Sequence, residues 1–192
     1  TNSRQSCLLI SDPHRLVFAY TRMTMASLLL TPAPARILIV GLGGGTLPTA
    51  FRQLYSDALI HTVEIDPAVY AVAKTYFNLA EDAKNQVFVQ DARVFGKRAL
   101  LRKQQYDLII LDAFNGDYIP DHLMTVEFLQ EMRDLMSAEG TLVANTFANS
   151  KLYDYESRTY EEVFGSFLNV REKNSGNRVI IVPEAAIPPS QR

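Results

Sequence analysis

The sequence predicts an α/β domain built on a doubly wound, mostly parallel sheet, and three observations predict it. Apolar runs of strand length alternate with stretches of helical periodicity. The first full run, Ile37 to Val40, passes directly into a glycine-rich turn at Gly41, Gly43, Gly44 and Gly45. Three of the runs end in an acid, at Glu64, Asp91 and Asp112. Alternation of strands and helices implies crossover connections and a parallel sheet, whose ligands bind at the carboxyl edge. A row of carboxylates on that edge points to function, because unpaired carboxylates repel one another and resist burial. Taken singly, each acid also reads as an ordinary helix N-cap.

With 192 residues, 47% of them hydrophobic, the chain is long enough for one domain with a substantial core. A formal charge of −2 supplies no basic field, so nucleic acid is not a favoured partner. The single cysteine, Cys7, has no partner for an internal disulfide, and its neighbours Leu8, Leu9 and Ile10 suggest a small buried hydrophobe. No apolar stretch reaches the length of a membrane span and no signal peptide is recognisable, so a cytoplasmic setting without a membrane partner is expected. The chain opens on Thr1 rather than Met, which fits a piece of something longer.

In chain order, Leu8 to Ile10 and Leu16 to Ala19 read as short strands about a turn at Ser11-Asp12-Pro13-His14, with His14 a solvated loop histidine. Tyr20 to Leu30 reads as an apolar helix that stops before Pro32. Residues 1–30 form a lead-in, 31–185 the main domain, and 186–192 a flexible tail. After the first strand and its turn, Pro48 suits the opening turn of a helix whose free N–H groups face the same ligand as the glycines. The second strand ends at Glu64 and Asp66, about twenty residues past the glycines, where a carboxylate can take the hydroxyls of a ribose.

Asp66 and Pro67 cap the next helix, whose stripe Val69, Val72, Ala73, Tyr76 and Phe77 is expected in the core. Val87 to Val89 is a third strand ending in Gln90, Asp91 and Ala92, after which a helix with Val94, Phe95 and Leu101 carries the chain to Tyr106. Tyr106 to Leu111 is the clearest buried strand, followed by Asp112 and a loop over residues 115–120. Leu123 to Met136 reads as a helix with Gly140 just past its end, and Thr141 to Ala144 as the fifth strand. A helix over Tyr153 to Phe167 precedes two strands, Asn169 to Glu172 and Arg178 to Val182, which form an antiparallel hairpin through Asn174-Ser175-Gly176-Asn177. The sheet therefore has seven strands.

The glycine turn narrows the ligand. A dinucleotide pattern would need glycine at 46, where Thr46 stands, and a P-loop would need Gly-Lys-Ser/Thr, which does not follow. The remaining readings are an adenosine ligand without phosphates, with S-adenosylmethionine or a derivative leading, and a strand-to-helix turn with no ligand. No metal is implied: His14, His61 and His122 fall on different elements without paired spacing. His61, inside a strand, reads as structural, and His122, beside the 115–120 loop, as a candidate for substrate contact.

A succession of motifs resembles the polyamine aminopropyltransferases, the spermidine synthases, from about Phe18 to Phe147. It runs through Phe18-Ala19-Tyr20, Gly44-Gly45-Thr46-Leu47, Val63-Glu64-Ile65-Asp66, Gln90-Asp91-Ala92, Tyr106 through Asp112, and Leu123-Met124-Thr125 with Glu127-Phe128. The resemblance implies a Rossmann-like sheet of the class I methyltransferase type and a transferase of polyamine biosynthesis. Such an enzyme moves an aminopropyl group from decarboxylated S-adenosylmethionine to a diamine such as putrescine and releases methylthioadenosine. By resemblance the cofactor contacts are Gly41, Gly43, Gly44, Gly45, Glu64 for the ribose, Asp66, and Asp91 with Ala92 for the adenine amino group. Asp112 is the catalytic residue, and Tyr20, Asn115 and Asp117 face the small-molecule amine; the family also suggests a homodimer.

Three departures bear on this. The family carries an aspartate in its glycine turn where Gly43 stands, and a second aspartate after the catalytic one where Asn115 stands, with Asp117 displaced. Its N-terminal strand domain is largely missing here, which puts the amine pocket and dimer contacts in question. An aspartate at the turn attracts the ammonium tail of the decarboxylated cofactor and repels the carboxylate of S-adenosylmethionine, so Gly43 removes that selection. A methyltransferase using S-adenosylmethionine is therefore a rival reading, and a non-catalytic ligand-binding relative a third.

Overall fold

The computed structural model describes residues 5–114, 118–173 and 175–183. The elements are α1 (Ala19–Thr24) running into a 3-10 turn (Met25–Leu29), β1 (Arg36–Val40), α2 (Thr46–Leu54), β2 (Leu59–Glu64), α3 (Pro67–Tyr76), β3 (Asn85–Val89), α4 (Ala92–Leu101) and β4 (Tyr106–Leu111). A 3-10 turn (Asp121–Leu123), α5 (Val126–Asp134), β5 (Met136–Phe147), α6 (Tyr153–Phe164), β6 (Leu168–Arg171) and β7 (Asn177–Pro183) follow. Seven strands form one sheet in the order β3-β2-β1-β4-β5-β7-β6. β1 to β5 run parallel, and β7 is antiparallel to both β5 and β6. The expected doubly wound sheet and terminal hairpin are what the chain forms.

Alternating side chains send the strands into two cores, one on each face, which is why β1 and β4 read as unbroken apolar runs. Leu38, Val40, Ile109 and Leu111 pack against Phe95 of α4 and Phe128, Leu129 and Met132 of α5. Ile37, Ile39, Leu108 and Ile110 pack on the other face against Met23 of α1 and Leu47 and Phe51 of α2. Among the described residues no helix is long and apolar enough to cross a membrane.

Register decides what meets at the carboxyl edge. Val40 pairs with Val63 on one side and Leu111 on the other, and Leu111 pairs with Ala144. The next residue of each chain, Gly41, Glu64, Asp112 and Asn145, therefore emerges in one row. Strand order reverses between β1 and β4, and a crevice opens at such a switch point.

Several local expectations are corrected. The lead-in strands do not form: a turn is present, with the Asp12 N–H on the Leu9 carbonyl at 3.0 Å and the Arg15 N–H on Asp12 at 3.1 Å, but no described strand pairs with its flanks. Cys7 is half-buried rather than buried, since the segment lies on the surface. The α3 stripe is mostly outside the core. Ala73 is buried, but Val72 and Tyr76 are exposed, because α3 covers the edge of the sheet and closes only a small cluster with Leu42 and Leu79.

Val94 and Leu101 of α4 are likewise exposed. α5 is shorter than its periodicity suggests: Thr125 caps it, its side chain accepting from the Phe128 N–H, and the chain is already in β5 at Met136. Gly140 is thus no helix cap. It lies within β5, where the β4–β5 register shifts, and an added Cβ would stand 3.1 Å from the Tyr106 carbonyl oxygen. α6 ends at Phe164, three residues early, at Gly165 with φ +77°. The 186–192 tail lies outside the described residues.

Candidate active site

A cavity of about 550 Å³ occupies the crevice, a volume in the range of small-molecule sites. The glycine turn forms one wall. Gly41 has φ +99°, and a Cβ there would lie 2.2 Å from the Asp112 carbonyl oxygen, so only glycine lets β1 and β4 diverge this closely. Gly43 and Gly45 also take positive φ, and α2 begins at Thr46 with Pro48 in its first turn.

Glu64 is 9% exposed and anchored at both oxygens. Oε2 accepts from the Leu42 N–H at 3.0 Å and Oε1 from the Asp66 N–H at 2.9 Å. This orientation leaves further lone pairs of a carboxylate turned to the cavity, the geometry needed to accept from two vicinal hydroxyls. Asp66 lines the cavity too, but its side chain caps α3, accepting from the Ala68 N–H at 2.7 Å. Asp91 combines both duties: Oδ1 accepts from the Val94 N–H at 2.9 Å and caps α4, while Oδ2 stands 3.2 Å from His122 Nε2 at the cavity mouth. Ala92 is buried beside it.

Asp112 forms the floor. Oδ1 accepts from Asn145 Nδ2 at 2.8 Å, and the Tyr20 hydroxyl of α1, which donates to the Gln5 carbonyl at 3.3 Å, stands near enough to the same carboxyl group to favour its charge. Loss of hydration pushes Asp112 up to about 7, against the pull of those two donors. Burial, and then the neighbouring Asp112 charge, push the Tyr20 hydroxyl well above its ordinary value.

The structure thus brings together Tyr20, Gly41, Gly43, Glu64, Asp66, Asp91, Ala92 and Asp112 around one cavity. Gly44 and Gly45 complete the turn behind it. Asn115 and Asp117 lie outside the described residues, while Phe114 and Pro120, on either side of them, line the cavity.

Of the histidines, His61 is buried in an aromatic cluster with Nδ1 2.8 Å from the Tyr106 hydroxyl, and burial lowers its pKa to about 4. It is structural, as its place inside a strand implied. His122 does reach the cavity.

Three participants were not singled out from sequence. Asn145 lies within β5, level with the strand-end acids, and attention to neutral amides just past the apolar run Leu142 to Ala144 would have found it. Asn177 donates Nδ2 to Asn145 Oδ1 at 3.0 Å. Ser6 has no sequence signal: its Oγ accepts from the Gly44 N–H at 2.7 Å, and with Gln5 it closes one side of the cavity.

Comparison with known proteins bears on the family and the fold. A polyamine aminopropyltransferase of Vibrio vulnificus (strain CMCP6) is 53% identical over 183 residues, covering 94% of this chain and 61% of its own length. An N-terminal histidine N-methyltransferase of Emericella nidulans is 35% identical over 144 residues, covering 73% of this chain and 25% of its own length. The chain spans about three fifths of the length of the Vibrio relative.

Among solved structures, human methyltransferase-like protein 13 in complex with SAH superposes with TM-score 0.78 at 23% identity, covering 91% of this chain and 85% of the other. A spermidine synthase in complex with the transition state analogue AdoDATO gives 0.75 at 21%, covering 91% and 64%. These two establish the fold, a methyltransferase-like one. The family model described as spermine/spermidine synthase domain matches residues 17–183, which takes in every strand and every cavity acid, and over that span the chain belongs to the spermine/spermidine synthase family.

Proposed function

We propose that this domain binds decarboxylated S-adenosylmethionine in the cavity and transfers its aminopropyl group to a small diamine such as putrescine, releasing methylthioadenosine. The observation that carries this reading is Asp112, a carboxyl group at the floor of the cavity with its proton affinity raised to about 7. An alkylammonium must lose a proton before it can attack. Passing that proton from about 10.4 to an ordinary aspartate near 3.9 is uphill by about 9 kcal/mol, whereas passing it to a group near 7 costs about 5 kcal/mol.

The amine, deprotonated by Asp112, directs its lone pair at the aminopropyl carbon bonded to the sulfonium. The C–N bond forms as the C–S bond breaks, its electron pair goes to sulfur, and a neutral thioether leaves. In this reading Glu64 holds the ribose, Asp91 with Ala92 reads the adenine amino group, and Tyr20 helps to orient the amine beside Asp112.

A second reading is methyl transfer from S-adenosylmethionine. It is favoured by the glycine turn, residues 41–45, which carries no carboxylate to repel the cofactor's own, and by the methyltransferase relative. One incubation separates them. Purified protein with decarboxylated S-adenosylmethionine and putrescine is expected to yield methylthioadenosine and spermidine in equal amounts by chromatography. Release of S-adenosylhomocysteine from S-adenosylmethionine, with no methylthioadenosine from the decarboxylated form and any diamine, establishes methyl transfer instead.

A further inference from the structure

Asp112 is oriented by a chain of amides spanning three strands. Asn145 is 4% exposed and donates Nδ2 to Asp112 Oδ1, while its own Oδ1 is occupied by Asn177 Nδ2. Asn145 follows Ala144, the partner of Leu111, and Asn177 opens β7, opposite Phe147. The three side chains therefore lie at one edge, Asp112 just past β4, Asn145 on β5 and Asn177 on β7.

An amide has a donor end and an acceptor end of nearly equal size, and half a turn about its last torsion exchanges them. The Asn177 N–H occupies the oxygen of Asn145 and so favours the orientation that leaves the NH₂ for Asp112. We propose that Asn177 is a positioning residue: through Asn145 it dictates that Asp112 meets a donor, and so holds Asp112 as the carboxylate that receives the amine's proton. The inference rests on the acceptor-activating role proposed above for Asp112.

Electrostatics supports the same assignment. Desolvation raises Asp112, and the hydrogen bond from Asn145 is the first of the two interactions that lower it, the other coming from Tyr20. The remaining titratable groups on the cavity wall are Glu64, Asp66, Asp91 and His122. Behind β5, Arg178 and Glu156 neutralise each other at 2.9 Å. Among these neighbours it is Asn145, and not an ion pair, that offsets the cost of charging Asp112.

The test is the titration of Asp112 in the full chain, read by carboxyl carbon NMR without ligand, in the original protein and in Asn177→Ala. A freed Asn145 amide samples the turned orientation, so the midpoint is expected to rise by about one pH unit. The acidic limb of the kcat profile with decarboxylated S-adenosylmethionine and putrescine should move with it, while KM for the adenosyl donor stays the same. Asn177→Ser, also neutral and too short to reach Asn145, gives the same answer if the alanine variant does not fold. Asn177→Gln keeps a donor and should bring the midpoint back towards its original value.

An unmoved midpoint in Asn177→Ala and Asn177→Ser overturns the relay, and so does a loss of turnover equal at every pH. The NMR midpoint needs no turnover, so it decides the relay even if an inactive protein defeats the transfer reading.

Discussion

At the scale of single residues, two carboxylates of the cavity are held in different ways. Glu64 accepts from two backbone N–H groups, which fix its orientation. Asp112 is desolvated, which opposes its charge. Because its folded value of about 7 exceeds the unfolded value, native Asp112 holds its proton more tightly. Its burial therefore costs nothing below about pH 4, costs progressively more up to about pH 7, and is level above that. Asp112→Asn keeps the acceptor for Asn145 and removes that cost. We expect equal melting midpoints at pH 4, and at pH 8 a variant more stable by about 1 to 3 kcal/mol, because solvent reaching the half-buried carboxyl group screens part of the cost. Turnover should at the same time fall by about a hundredfold or more, with the affinity for adenosyl ligands retained.

Glu64→Gln reverses the pattern. An amide cannot accept at both ends, so either the Leu42 or the Asp66 N–H faces an NH₂ group, and one ribose hydroxyl loses a charged acceptor. Calorimetric titration with methylthioadenosine should show affinity lower by at least about tenfold. Unchanged affinity would remove Glu64 from the site.

At the scale of elements, the parts legible in the sequence were those in which one cause acted alone. β4 is buried on both faces, so its residues from Tyr106 to Leu111 admit no other reading. The three strand-end acids were legible because a charge at a buried edge demands an explanation. The α3 stripe misled because helical periodicity records which face is apolar, and at the sheet edge that face has too little to cover. Asn145, Asn177 and Ser6 escaped because neutral polar groups carry no compositional mark, and their roles arise only from register across strands distant in sequence.

The glycine turn belongs to the first class and makes a sharp prediction. At Gly41 the obstacle to a Cβ is the backbone of Asp112, which cannot rotate aside, and φ is +99°. Gly41→Ala should destabilise the fold by about 3 kcal/mol, lowering the melting midpoint by roughly 6 to 12 °C. Because the strain bears on Asp112 itself, turnover should drop with it.

At the scale of the molecule, the site depends on β7 remaining locked to β5, since that pairing carries Asn177 to Asn145. The lock is partly ionic. Arg178 is fully buried; it donates to Thr146 Oγ1 at 2.9 Å, to Ser157 Oγ at 2.7 Å and to Glu156 Oε2 at 2.9 Å, with Tyr153 stacked 3.8 Å from its guanidinium carbon. It thereby ties β7 to β5 and to α6, one residue from Asn177.

Burial raises the proton affinity of Glu156, and Arg178 opposes the rise. Removing the cation alone leaves a carboxyl group buried without its partner. Arg178→Met should cost about 3 to 5 kcal/mol by denaturant unfolding. The loss should shrink at low pH, where Glu156 takes up a proton in the folded state. Arg178→Met combined with Glu156→Leu removes both charges and should recover much of the stability, because the net contribution of a buried pair is small once its desolvation is counted. The two substitutions should differ from Asn177→Ala in kind. They are expected to change stability at every pH and to move the Asp112 midpoint only as far as β7 shifts, whereas Asn177→Ala moves the midpoint itself and adds about 1.4 kcal/mol of pH-dependent cost above pH 8. Additive losses in the double variant would show that Arg178 and Glu156 contribute independently and that no ionic coupling between them locks β7.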